Sequence, residues 1–452
     1  MINKNFISLI NHASILVSNG NKSILTDPWY FGDVFDGGWN LLFENNIHDL
    51  ENILKKVDYI WISHEHPDHF SVQFFNKFDT LIKSKNIKIL FQETRDKRVV
   101  NFLKKQGYSV TELKDGEKYK IDKNYNIITQ KYDFYDSALI LQIDNFKIFN
   151  LNDCPMNEER EILKFKKKYG TCDFLLSQFS YAAWKGGKAN LEWRKQAAEL
   201  KLKTIIKQSK ILESKYTIPF ASFVYFSSNY NYYLNDSVNK PSIIMNATIK
   251  EKTNFIFLKP YIKLILDNPK ISEEGNLFWE DKFNSIKIRN KKITSCSFED
   301  LEKLFNLYII RIFKKNSYIF CKILSKLPFL KIFKPIIIKI KDLNIVCKID
   351  IAQKSFIKTN IKPDVEMNSS SLKLIFSADY GFDTLTINGC FEEKQKNGFL
   401  KMTQSLALGN LNNLSIFLNF KIFLNFFVIL LFLKKVLNVQ KKLTFKYVQK
   451  IE

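Results

Sequence analysis

The sequence predicts an α/β chain, on three observations. Short apolar runs rich in β-formers recur at 57–62, 88–91 and 147–151, each of strand length and bounded by polar or turn residues. Stretches with helical patterning, 47–56, 97–106 and 191–214, fall between or after them, the second closed by Gly107 as a C-cap. The chain has 452 residues, 46% hydrophobic and 25% charged, which suffices for two or three domains with cores of their own.

Taken in order, residues 6–25 read as short strands joined at Asn19-Gly20, a two-residue hairpin turn in which both positions tolerate positive φ. A strand at 23–26 delivers Asp27. A helix is expected within 72–85, and residues 125–132 and 138–143 alternate as sheet strands do. Strands at 173–176 and 216–220 close a first domain, placed at 1–240. The mixed, polar stretch 241–300 reads as a linker with some helix. Residues 301–452 read as a smaller α+β domain: amphipathic helices at 304–313 and 318–333, then a strand at 364–367, a capped helix from Ser369-Ser370-Ser371 and a strand at 384–389. That last order resembles the sterol-carrier-like fold, whose members bind apolar ligands.

The formal net charge is +23, carried mostly by Lys spread along the chain. Scattered Lys with little Arg argues against a nucleic-acid groove, where Arg reads phosphates and bases. It leaves room for attraction to a small anionic substrate or a membrane surface. The six cysteines form no CxxC pair, and the N-terminus lacks an apolar signal segment, so a cytoplasmic location, or one at the membrane surface, is expected. The apolar stretch 416–433 is broken by Asn419, Lys421 and Asn425 and reads as a buried or interfacial helix.

The densest chemistry lies at Ser63-His64-Glu65-His66-Pro67-Asp68-His69, directly after the strand at 57–62. In extended chain, residues i and i+2 share a side, so His64 and His66 point at one ion. Pro67 turns the chain, and Asp68 and His69 then face a neighbouring ion. Imidazole and carboxylate are the donors of Zn²⁺ and the borderline first-row metals.

His-x-His-x-Asp-His after a strand resembles the signature of the metallo-β-lactamase superfamily, which implies an αββα sandwich with a metal site on one edge. The blocks Asn11-His12-Ala13, Asp27-Pro28-Trp29, Gly38 to Leu42, Asn152-Asp153-Cys154, Phe179 to Lys188, Glu192-Trp193 and Ile218 to Ala221 are similar to the metallo-β-lactamase-type portion of the CMP-N-acetylneuraminate hydroxylase family. The resemblance covers about the first half of the chain. It implies metal ligands at His64, His66, Asp68, His69 and Asp153, with Asp153 bridging two ions and Asp68 or Asp153 orienting water. It implies that Asp27 holds a ligating imidazole by its free N–H, as such carboxylates do; a turn Asp before Pro28 is the other reading. His12 lines the site or is a satisfied core histidine, His48 is a surface residue, and Asp153 is otherwise a helix N-cap.

The chain departs from the pattern in two places. No histidine follows His69. Setting Asp136 against the corresponding Asp of the hydroxylase puts Tyr132 where one ligating histidine would stand, and Ile218 to Ala221 replaces the last. A Rieske centre needs CxH and CxxH pairs, and the chain has neither. This chain alone therefore lacks what the hydroxylase uses to handle electrons.

The loop Phe179 to Lys188 presents Gly186-Gly187 between two lysines, a setting for a phosphate or carboxylate, with Trp184 free to stack on a sugar or base. An ordinary solvated loop is the alternative. The expected function is a metal-dependent hydrolase acting on an ester or phosphodiester of an anionic substrate: a nucleotide sugar, a surface-glycan precursor or a phospholipid-like molecule. Trp184, Lys185 and Lys188 would bind it. One or two Zn²⁺ ions are expected, with Mn²⁺ or Fe²⁺ as alternatives. The second expectation is a metal-binding, non-hydrolytic partner of a glycan-modifying or oxygenase system.

Overall fold

The computed structural model describes residues 4–132, 135–289, 294–327, 332–413 and 416–420. The chain divides into two compact units. The first comprises 1–182, 194–227 and 235–289; the second comprises 183–193, 228–234 and 290–452.

The first unit holds two seven-stranded sheets. One runs in the order Lys263–Ile265, Phe6–Asn11, Ser14–Ser18, Ser23–Thr26, Tyr59–Ile62, Lys88–Gln92, Val110–Leu113. The other runs Asn254–Phe255, Tyr216–Phe220, Phe174–Gln178, Phe146–Asn152, Asp136–Ile143, Tyr125–Tyr132, Lys118–Asp122. The period-2 alternation of strands explains the layering. Ile60 and Ile62 enter an apolar cluster with Leu50, Leu54, Phe74, Phe75, Val100 and Leu103 from the helices on that side. Trp61, between them, turns the other way and donates its indole N–H to Thr129 Oγ1 of the second sheet at 3.0 Å. On the second sheet Phe149 and Leu151 pack with Ile162 and Phe165 of the helix Glu159–Tyr169. The result is helix, sheet, sheet, helix: the αββα sandwich. Residues joined from sheet to sheet include Tyr125 O–H to Val17 O and Ser137 O–H to Ser63 O.

Residues 241–300 were expected as a linker. Instead, up to Arg289 they belong to the first unit and supply an edge strand to each sheet: Lys263–Ile265 pairs antiparallel with Phe6–Ser8, and Asn254–Phe255 pairs parallel with Tyr216–Thr217. The helix Glu274–Asn284 is pinned by Trp279, fully buried, stacked on Phe223 at 3.8 Å and donating to Leu258 O. Gly275 permits the approach, since a Cβ there would stand 1.7 Å from Phe257 O. Polar composition misled because these elements are short and expose one face.

The second unit is α+β. Its five-stranded sheet runs Ser355–Lys358, Ile345–Asp350, Ile336–Ile340, Val365–Met367, Phe391–Glu393. The stretch 384–389 is not a strand as its β-branched residues suggested. It lies in the helix Gly381–Asn388, ended by Gly389 in the left-handed conformation at φ 66°. Packing overrides propensity there: Phe382 and Leu385 are buried, and Gly381 lies so close to Leu374 O that a Cβ would meet it at 2.0 Å. The apolar stretch 416–433 falls almost wholly outside the described residues. Among the described residues, no helix is long and apolar enough to cross a membrane.

Trp279→Ala is expected to destabilise the chain by about 3–5 kcal/mol, the usual cost of removing a buried aromatic. Urea unfolding measures it; a loss under about 1 kcal/mol would return residues 241–289 to the status of a tether.

Candidate metal centre

The site begins at the parallel neighbours Ser23–Thr26 and Tyr59–Ile62, which pair Thr26 with Trp61 and so release Asp27 and Ser63 side by side at the sheet edge. Asp27 takes positive φ, 37°, and its N–H donates to Trp61 O at 2.9 Å. Its carboxylate then spans the motif: Oδ1 accepts from Ser63 N–H at 2.7 Å and Oδ2 accepts from His69 Nδ1 at 3.0 Å. Ser63 Oγ lies 2.9 Å from His64 Nδ1. With both Nδ1 atoms engaged, the Nε2 atoms of His64 and His69 are left to face inward. After Pro67 the chain closes a turn, His69 and Phe70 both donating to His66 O. Ser63 O is held in turn by Gln92 and Ser137, so both sheets fix the loop.

The structure brings several of the candidate donors close together. His64 Nε2 and His66 Nδ1 stand 2.9 Å apart. Asp153, delivered by the strand Phe146–Asn152, places Oδ2 3.3 Å from His69 Nε2. Asp68 Oδ2 lies 3.4 Å from the same nitrogen and 3.3 Å from His12 Nε2. His12 thus lies beside this group, 2% exposed, on the turn between the first two strands. His48 lies exposed beside Glu51, as expected of a surface residue.

Three residues join the site that sequence reasoning did not assign to it. Asp136 opens the strand Asp136–Ile143 and puts Oδ1 3.7 Å from His64 Nε2. Its cross-strand partner Tyr132 packs, as Ile128 does, against the apolar cluster of that side. Gln178 donates from Nε2 to Asp153 Oδ1 at 3.0 Å, and Lys201 donates to Gln178 Oε1. The pairing of Asp136 with Tyr132 at the turn end of a hairpin was the one available signal; Gln178 and Lys201 had none.

The electrostatics follow from burying so many charges together. Burial pushes the His64 pKa well down, helped by His69 and His66. Burial also pulls on His69, yet Asp68, Asp153 and Asp27 outweigh it and hold that imidazole well above its ordinary value. Asp68 is raised by burial but held well below the carboxylate range by His69 and His12. For Asp27 burial wins and the pKa rises. Burial lowers Lys201, against the pull of Asp153 and Asp136.

This set fits a bound cation. His12 Nδ1, Asp68 Oδ1 and His69 Nε2 are buried without a hydrogen-bond partner, and each such atom costs about 1–3 kcal/mol. The distances from His69 Nε2 to its two carboxylates are those of an ion pair without hydrogen-bond alignment. Donor atoms of His12, Asp68 and His69, and again of His64, His69 and Asp153, lie within 4.8 Å of one another. One cation satisfies several such atoms where they cannot satisfy each other.

The expected anion loop is different. Trp184 is buried among Phe391, Phe399 and Trp193, with ring centroids 4.7, 4.7 and 5.3 Å away. It, Lys185 and Lys188 all belong to the second unit. The Lys188 N–H donates to Glu392 Oε2 at 3.3 Å, and that oxygen lies against Gly187. The glycine loop does hold a carboxylate, but one from its own chain. The Lys188 ammonium sits over the Tyr233 ring, 5.8 Å from its centroid.

Residues 6–150 match the family model described as "Beta-lactamase superfamily domain". Over that stretch the chain is therefore similar to the metallo-β-lactamase superfamily. More narrowly, it is similar to cytidine monophosphate-N-acetylneuraminic acid hydroxylase of Xenopus laevis, 25% identical over 278 residues, covering 58% of this chain and 45% of the relative. The Homo sapiens relative, named inactive, is 26% identical over 280 residues, covering 58% and 54%. The chain spans about half the length of the curated relatives it matches. Among solved structures, the diiron β-hydroxylase CmlA of Streptomyces venezuelae matches at a TM-score of 0.43 with 12% identity over 59% of this chain and 55% of that one. Igni18, a metallo hydrolase of Ignicoccus hospitalis, matches at 0.41 with 14% identity over 57% and 97%.

Asp27→Asn removes the anionic acceptor that fixes the His69 ring. Divalent-metal affinity is expected to fall about 10–100-fold, the usual cost of losing such a group, read by competition with a chromophoric chelator. Unchanged affinity would show that Asp27 serves the turn alone.

Proposed function

We propose that the first unit is a metal-dependent hydrolase acting on an ester or phosphodiester of a small anionic substrate. The observation that carries this reading is the convergence of buried imidazole and carboxylate donors, three of their atoms otherwise unpartnered, at one sheet edge. When bound, a divalent cation lowers the pKa of water toward neutrality and polarises a carbonyl or phosphoryl oxygen. His64, His66, Asp68, His69 and Asp153 would hold it, with Asp136 beside His64 as a further carboxylate. Asp27 and Ser63 orient the imidazoles. Gln178 fixes one oxygen of Asp153 and leaves the other to face the site. Asp68 or Asp153 would take a proton from water. Lys201, which donates to Gln178 beside Asp153, is a cation suited to an anionic substrate group. Zn²⁺ is the first candidate metal, with Mn²⁺ and Fe²⁺ sharing its donor preferences.

A second reading has a specific basis. The relatives are named hydroxylases, and this chain covers about half of their length without any Rieske-type cysteine–histidine pair. The unit would then bind metal as the non-hydrolytic partner of a glycan-modifying or oxygenase system.

The full chain, loaded in turn with Zn²⁺, Mn²⁺ and Fe²⁺, is to be assayed on phosphodiesters and esters of nucleotides, sugars and phospholipids beside His66→Ala. The hydrolase reading expects metal-dependent turnover at least about a hundredfold above that variant, a few kcal/mol of barrier. Stoichiometric metal with no turnover above His66→Ala on any substrate favours the second reading.

A further inference from the structure

The histidines of this chain end at His69, so the late histidine of the superfamily pattern has no counterpart, and Ile218 to Ala221 stands in its place. The strand Tyr216–Phe220 ends there, and Ala221, at φ 51°, donates its N–H to His12 O at 2.9 Å. His12 itself takes φ 31°, with its own N–H given to Asn11 Oδ1. Asn11 is anchored in turn through Nδ2 to Phe43 O and Asn45 Oδ1. Positive φ at a residue with a bulky side chain is costly and persists only where the surroundings impose it. Here four hydrogen bonds impose it, and they turn the imidazole inward.

We infer that His12 is a metal ligand, completing a second cation position with Asp68 and His69 in place of the absent late histidine. This rests on the reading of the cluster as a metal centre and extends it to a residue from the opposite end of the domain. The imidazole is buried, edge-on to Trp29 at 5.6 Å and to His69 at 5.9 Å. Its Nε2 is 3.3 Å from Asp68 Oδ2, and the three donors lie within 4.8 Å of one another. Asp68 Oδ1 and His69 Nε2, both in this group, are buried and unpartnered. His12 Nε2 is turned toward the Asp68 carboxylate, so this is the ring nitrogen available to a cation shared with Asp68 and His69. His69 Nε2 has one lone pair and so serves one ion. If it joins His12 and Asp68, the imidazoles of His64 and His66, with Asp136, are left for a neighbouring ion, and Asp153 lies in reach of both. The donor set of the second position is thus two neutral nitrogens and a carboxylate, enough to hold Zn²⁺ or a similar ion with an open position.

Cobalt is the probe, because it is visible and takes the same ligands. The full chain is titrated with Co²⁺ by calorimetry and by visible absorption, and imidazole N–H signals are followed by paramagnetic NMR, for the wild type and for His12→Gln. The inference expects two Co²⁺ per wild-type chain. In the variant the second ion is weakened about tenfold or more, in line with the loss of a supporting group at the least, while the first is unchanged. One strongly shifted imidazole signal disappears with the substitution. The wild-type signals alone decide the matter if the variant fails to fold: assignment of a contact-shifted ring to His12 by labelled histidine supports the inference. Two ions with unchanged dissociation constants in His12→Gln, or an unshifted His12 ring in wild type carrying cobalt, overturns it and leaves the metal centre standing. No cobalt uptake by wild type overturns both.

Discussion

A buried carboxylate at the edge of a β-sheet must be matched on every side, and Asp27 is matched by the motif itself. One oxygen takes the backbone N–H of Ser63 and the other takes His69 Nδ1. The first contact sets where the loop leaves the strand. The second sets which nitrogen of His69 faces the site and stabilises its protonated form in the absence of metal. Breaking such a buried, hydrogen-bonded pair by removing one partner leaves an uncompensated charge, costing about 3–5 kcal/mol. Loop geometry and donor chemistry are therefore secured by the same side chain. The remaining donors are added to a frame it has already fixed.

That frame explains the division of labour around it. The first sheet supplies Asp27, the histidine loop and His12; the second supplies Asp136, Asp153 and Gln178. Ser137 and Gln92 tie the loop to both. The surplus of carboxylates is what the His69 imidazolium and Lys201 balance when no cation is bound. The two imidazoles are perturbed in opposite directions, His64 down through burial and His69 up through its carboxylates.

Much of this was legible in the residues because the central motif packs four donors into six positions after a strand, where local geometry alone brings them together. Asp27 and Asp153 were legible by resemblance, each at the end of a strand in the expected sheet. Asp136, Gln178 and Lys201 were not, since they are common residue types brought in by sheet order rather than spacing. At the loop around Gly186-Gly187 the Lys188 N–H takes a carboxylate from its own chain, that of Glu392, 204 residues on, a pairing no local pattern announces. In the second unit, β-branched residues at 384–387 suggested a strand, and close helix packing at Gly381 decided otherwise. Local pattern carries strands, turns and short motifs; it does not carry pairings made across the length of the chain.

The most direct measurement is anomalous diffraction at the absorption edge of whatever metal the purified full chain carries. The account predicts a peak within about 2.0–2.2 Å of the imidazole nitrogens of His64 and His66 or of His69, with the Asp153 carboxylate at similar range, as for such ions generally. A chain free of metal after growth in metal-replete medium, or a peak remote from these side chains, would contradict it.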